Sequence, residues 1–168
     1  MLTRTIFGLV FGLITVCTTF GCDRPPADSK SENPSDNSAS ASASDVPWTS
    51  ADVVAGATVA KELGTPEAPI VVHVGPEVLF KRGHVAGARY GGEAGSDEGL
   101  AQLESVAKTL PKDREIVIYC GCCPRGDCPN IRPAFSKLKA LGYRVKVLDM
   151  PTNFRTDWQN KGFPVEKG

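Results

Sequence analysis

The chain has 168 residues, 41% of them apolar, with 19 basic and 19 acidic side chains and a formal net charge of zero. That length provides for one ordinary globular domain. The even balance gives no electrostatic footprint for a nucleic acid or for an acidic or basic partner surface.

Residues 1–21 read as an export signal. Arg4 gives a positive start, and Ile6 to Phe20, "IFGLVFGLITVCTTF", is an apolar run of 15 residues. A bilayer-spanning helix needs roughly 20. The run ends in "TFGC", which resembles the lipobox of bacterial lipoproteins, although Thr19 and Phe20 depart from its usual residues. That resemblance implies cleavage before Cys22, lipid (palmitate included) on its end of the chain, and a cell-envelope location on the exported side of a bacterial membrane. More than one acyl chain on such a terminus suffices for stable anchoring. A plain signal cleaved nearby and an uncleaved anchor remain open as alternatives.

Residues 22–46, beginning "CDRPPADSKSENPSDNSASASASD", carry almost nothing that can be buried. Such a tract cannot offset its chain entropy and is expected to be a disordered tether. Its typical reach is about 25 Å. Residues 47–168 are expected to form the domain.

Within the domain, short apolar runs alternate with helical patterns, which predicts parallel strands with crossover helices. Asp52–Val54 is a short first strand, and Ala57–Leu63 a helix closed by Gly64. Ile70–Val74, "IVVHV", is a near-continuous β-branched run of the kind covered on both faces. Leu100, Leu103, Val106, Ala107 and Leu110 make an apolar stripe at helical spacing, opened by Ser96 and stopped by Pro111. "EIVIYC" is the next buried strand and ends at Cys120. "RPAFSKLKALG" is a second amphipathic helix, with Pro133 in its first turn and Gly142 past its end. "RVKVLDM" is the last strand, and "TNFRTDWQNKG" a final helix with Thr152 as its cap.

Four of the six cysteines fall in "YCGCCPRGDCPN", between a strand's C-terminal end and a helix's N-terminus. Ligands of open α/β sheets bind there, and the helix end favours an anion. The same position is expected to lower the pKa of Cys120 and make it a reactive thiolate. Cys122, Cys123 and Cys128 are candidates for redox or disulfide pairing, the Cys-x-x-Cys pair Cys120 and Cys123 among them. They also offer soft ligands to zinc or a similar ion, although their spacing is not that of a zinc ribbon. His84 reads as a turn histidine bonded to backbone and His73 as a buried, satisfied imidazole. Trp48 and Trp158 read as core or flap residues, and Asp149 ends a strand on the ligand side.

"GHVAGA" (Gly83–Ala88), the strand ending in "IVIYC", its loop, and "LDMPTNFRTDWQNKGFPVE" together resemble the rhodanese-like domain family. The resemblance spans the whole domain. It implies a single α/β domain with a central five-stranded parallel sheet flanked by helices, and sulfur transfer through a persulfide on Cys120. Loop amides at Gly121 and Gly126, with Arg125 or Arg132, would hold the donor's oxyanion. Arg125 fits the family's usual Cys-x4-Arg spacing, and Arg132 fits the arginine's usual place before the helix. The partners implied are a small sulfur donor such as thiosulfate or a persulfide, and an acceptor thiol, with the chain acting as a monomer. No cofactor or resident metal is assigned.

Two departures from the family pattern are visible. His73 and Gly75 stand where an Asp and an Arg are usual, and the cysteine loop is extended. Both leave room for a reading of another class: a non-catalytic binding, redox-sensing or metal-binding envelope module. The Cys-x5-Arg of cysteine phosphatases is missed, because Gly126 occupies the arginine's place.

Overall fold

The computed structural model describes residues 45–168. The signal segment 1–21, Cys22 and the tether through residue 44 lie outside the described residues. A five-stranded parallel sheet forms the centre, in the order β1 (Val53–Val54), β6 (Arg144–Leu148), β5 (Glu115–Tyr119), β2 (Ile70–His73), β4 (Arg89–Tyr90). A two-stranded antiparallel ribbon pairs β3 (His84–Val85) with β7 (Val165–Glu166). Helices α1 (Gly56–Glu62), α2 (Glu77–Arg82), α3 (Asp97–Ala107), α4 (Ile131–Ala140) and α5 (Phe154–Asp157) complete the domain.

The β-branched runs occupy the sheet centre because both of its faces are covered. Val72, Val74, Ile116, Ile118, Val145 and Val147 join α3 and α4 in one core. Val71, Val117, Tyr119 and Leu148 join Val59 and Trp158 in the other. Alternate residues of one strand thus serve opposite cores, as the period-2 geometry of a strand requires. Helix α4 buries Ile131, Ala134, Phe135 and Leu138, an i, i+3, i+4, i+7 stripe. A fully buried side chain such as Leu138 contributes about 2 kcal/mol of transfer free energy. Gly142 follows the helix with φ +81°, a left-handed position that glycine adopts without strain.

Most elements lie where the sequence puts them, with three additions. The fifth strand, β4, is only two residues long and has no periodicity to read. Helix α2 and the β3–β7 ribbon are likewise too short for a pattern. The final helix is shorter than expected, and its cap is Asn153 rather than Thr152. The Asn153 side chain accepts from Thr156 N–H at 3.0 Å. The buried Asp157 carboxylate accepts from Thr152 N–H at 2.6 Å and Asn153 N–H at 2.9 Å. An amide oxygen fills the cap position, and Thr152 only lends its N–H.

The sheet register sets His73 opposite Tyr119 on one side and Tyr90 on the other. Its imidazole is enclosed by Tyr119, Phe80 and Tyr90, with ring centroids 5.1, 5.6 and 6.1 Å away. Burial pushes its pKa down to about 4, against the smaller, opposing effect of the Cys120 backbone. Gly75 N–H donates to Nδ1 at 3.4 Å, which assigns the proton to the other ring nitrogen. Below the ordinary histidine value of 6.5 the unfolded chain takes up a proton that the folded chain refuses until about pH 4. Stability is therefore fully present above 6.5 and falls as pH drops toward 4, by about 3 kcal/mol from this group. Urea unfolding across that window should show the fall in wild type and a flatter profile in His73→Gln; equal slopes in both would contradict the assignment.

Candidate active site

Strand β5 delivers Cys120 to the C-terminal edge of the sheet, where its side chain is 1% exposed. Its sulfur points at Gly75. A Cβ on residue 75 would lie 2.4 Å from that sulfur and 3.2 Å from the His73 ring. The absence of a side chain at Gly75 therefore makes the space in which the Cys120 sulfur sits. The next residue, Gly121, has φ +79°, and a Cβ there would lie 2.8 Å from the Phe154 side chain. Its carbonyl accepts from Phe154 N–H at 3.0 Å, tying the loop to the start of α5. Gly126 has open space around it, and its carbonyl accepts from Arg132 at 2.8 Å.

The four loop cysteines are free thiols and close together. The Cys120 sulfur lies 3.2 Å from that of Cys122, which is 2.9 Å from Cys123 and 4.0 Å from Cys128. The sulfurs of Cys120, Cys122 and Cys128 all fall within 4.8 Å of one another. Cys122 is exposed and Cys123 half-buried, but Cys128 is fully buried beneath the first turn of α4. Asn130, also buried, donates from Nδ2 to the Cys120 sulfur at 3.4 Å and accepts at Oδ1 from Gly95 N–H at 2.7 Å. It fixes the thiol from the side opposite the sheet strand.

The negative charge of the pair belongs on Cys128, not on Cys120. The Cys120 thiol donates to the Cys122 sulfur at 3.2 Å, and its own sulfur lies within 4.8 Å of that of Cys128. The neighbouring Cys120 thiol and the backbone N–H groups of Asn130 and Ile131, at the head of α4, favour the anion on Cys128 and bring its thiol down to about 5. The neighbouring anion and burial push the Cys120 thiol up. The lowered pKa expected at Cys120 is thus found one position along the relay, because the helix amides reach Cys128 first. Burial likewise raises Cys123.

In front of Cys120 opens a cavity of about 440 Å³. Arg82, from the end of α2, and Arg155, from α5, line it together with Cys120, Cys122, Asn153 and Gln159. Among the described residues, no carboxylate lines it. Neither Arg125 nor Arg132 lines it. Arg125 pairs with Asp149 at 2.7 Å and its N–H donates to the Met150 carbonyl. Arg132 bonds Gly126 and lies 3.6 Å from Asp45. Both hold the loop to the rest of the domain. Arg82 and Arg155 went unnoticed in the sequence because each lies 27 or more residues away from the nearest loop cysteine, and only the fold brings them together. Their one local signal is that each adjoins a fold-marking stretch, "GHVAGA" and "TNFRTDW".

No protein-family model matches the chain, and no curated protein matches it in sequence. Solved structures do resemble it. A thiosulfate sulfurtransferase from Pseudomonas aeruginosa superposes with a TM-score of 0.54 at 25% identity, over 70% of this chain and 19% of that one. The rhodanese-like domain of an Anabaena protein gives 0.51 at 18% identity, covering 70% of this chain and 80% of that one. A rhodanese-related protein from Thermoplasma volcanium gives 0.50 at 17% identity, covering 69% and 98%. The fold is rhodanese-like.

On a rhodanese-like fold the end of the central strand is where Cys120 stands. The departures at His73 and Gly75 are linked physically: a neutral, enclosed imidazole and a bare backbone replace a charged pair and leave the space to sulfur. An extended cysteine loop then folds back so that its last cysteine reaches the helix amides. In the reduced full-length protein, ultraviolet thiolate absorbance should titrate near pH 5. Cys128→Ser should abolish that step, and Cys120→Ala should move it upward by removing the neighbouring thiol hydrogen. A wild type whose first thiol titrates only in the ordinary cysteine range would contradict the assignment of the anion.

Proposed function

We propose that the chain is a sulfurtransferase held at a bacterial membrane. It would move sulfane sulfur from a small oxyanion donor of the thiosulfate class, through a persulfide on Cys120, to an acceptor thiol. The observation that carries this reading is the Cys120 sulfur opening onto a cavity lined by Arg82 and Arg155 and, among the described residues, by no carboxylate. A guanidinium binds an oxyanion through paired, charge-assisted hydrogen bonds. Lipid on Cys22, read from the sequence, would keep the site within a tether's length of the envelope membrane.

The chemistry begins with the proton of the Cys120 thiol. Cys128 takes it, leaving a Cys120 thiolate. That thiolate attacks the outer sulfur of thiosulfate. The bond between the two donor sulfurs breaks, and sulfite leaves with the electron pair, its charge offset by the arginines. An acceptor thiolate then attacks the outer sulfur of the persulfide, carries it away, and restores the Cys120 thiolate. Splitting one transfer into two displacements is nucleophilic catalysis.

Steady-state sulfite release from thiosulfate with a small thiol acceptor tests this. Cys120→Ser should release none. Arg82→Ala and Arg155→Ala should each raise the KM for thiosulfate about tenfold, the worth of one charge-assisted hydrogen bond. Arg125→Ala and Arg132→Ala should leave that KM within about twofold, since neither reaches the cavity. The reverse pattern would return donor binding to the loop arginines. No sulfite from any version, reduced and with several donors, would favour the binding-module reading.

A further inference from the structure

Single-cysteine sulfur transfer leaves the most buried thiol of the cluster without a lasting role. Cys128 is fully buried, does not line the cavity, and lies in the loop two residues before Asn130, the N-cap of the ten-residue helix α4. Its sulfur nevertheless lies within 4.8 Å of the Cys120 sulfur. The Cys120 sulfur thus has the open cavity on one side and a buried sulfur beneath α4 on the other. Asn130 holds it between them. Closing the gap to a disulfide bond of about 2 Å brings the two sulfurs nearer by about 3 Å at most.

We propose that Cys128 is a built-in resolving thiol, which attacks the inner sulfur of a Cys120 persulfide and makes the domain a producer of sulfide. This rests on the persulfide reading above and goes beyond it. A persulfide on Cys120 extends its outer sulfur into the cavity that this residue lines. Displacement at sulfur runs in line with the bond that breaks, so the productive attack on the inner sulfur comes from the side away from the cavity. Cys128 is there. Cys122, which lines the cavity, is placed beside the outer sulfur instead.

The step balances without a further oxidant. The Cys128 thiolate and the Cys120 persulfide become a Cys120–Cys128 disulfide and hydrosulfide. One sulfur–sulfur bond breaks and one forms. The sulfane sulfur is reduced to sulfide, and the two cysteine sulfurs supply the electron pair. Hydrosulfide leaves through the cavity past the two arginines. A dithiol reductant from outside, small molecule or protein, must then reopen the disulfide. Cys122 is the point of contact for it, being exposed and 3.2 and 4.0 Å from the two buried sulfurs. The acidity of Cys128 supports the role, because its thiolate is present at neutral pH.

The test is a single turnover of the reduced, desalted full-length protein with thiosulfate, reading sulfite, sulfide, free thiols and non-reducing intact mass together. Wild type should release one equivalent each of sulfite and sulfide, lose two free thiols and gain no sulfur. Cys128→Ser, which also lacks the base of the first displacement, should release its sulfite more slowly than wild type, and once loaded should hold one added sulfur atom and give no sulfide. Cys122→Ser should still give the burst of sulfide but turn over poorly with a protein dithiol. A parallel arm loads the proteins with inorganic polysulfide, which tests the resolving step whether or not thiosulfate is the donor. Wild type that keeps its added sulfur as stably as Cys128→Ser would overturn the proposal and leave sulfur transfer standing. Loss of the sulfide burst in Cys122→Ser but not Cys128→Ser would also overturn it. If neither donor places sulfur on Cys120, the persulfide reading and this one fall together.

Discussion

The space that Gly75 leaves for the Cys120 sulfur is the constraint on which the site depends. A side chain there would fall inside the sulfur's van der Waals sphere. With it absent, the thiol packs back against the strand end, beside a neutral histidine and within reach of Asn130. From that position it faces a cavity in one direction and the head of α4 in another. The rest of the site follows from how the parallel sheet ends. Strand β5 fixes the backbone of Cys120, β2 fixes His73 and Gly75 beside it, and α4 aims its first amides at the far end of the cysteine loop.

The electrostatics divide the labour between two sulfurs. A helix N-terminus stabilises one negative charge well and two adjacent ones badly. Cys128 accepts the helix amides and holds the charge, and Cys120 stays protonated until a donor arrives to take the thiolate it can form. A resting thiol at the cavity and a resting thiolate below it limits unwanted oxidation at the open face, where the thiolate is the vulnerable form. The same arrangement supplies a base for the first displacement and a nucleophile for a second. Arg82 and Arg155 bring two positive charges to the cavity, because α2 ends and α5 begins beside it.

Much of this was legible in the sequence wherever a pattern was long enough to have a period. The runs at Ile70–His73, Glu115–Tyr119 and Arg144–Leu148 gave the strands, and the stripes in α3 and α4 gave the helices that cover one face. The position of the cysteine loop between strand and helix was equally plain. What escaped was set by tertiary context. Strand β4 has two residues and is recognisable only by its pairing with Val72 and His73. The arginines of the cavity lie far from the cysteines along the chain, so attention to loop spacing led to Arg125 and Arg132, which the fold turns toward Asp149, Gly126 and Asp45. The depth of Cys128 was hidden for a similar reason: spacing shows that a cysteine is near, but not which side of the helix end it enters.

The central claim is that Cys120, among four neighbouring thiols, is where sulfane sulfur first lands. It is tested most directly by locating the added sulfur atom in the Cys128→Ser protein. After brief exposure to thiosulfate and trapping with an alkylating agent, peptide mass mapping should place one extra sulfur on Cys120 and none on Cys122 or Cys123. Extra sulfur found first on Cys122 or Cys123, with Cys120 alkylated as a plain thiol, would contradict the account.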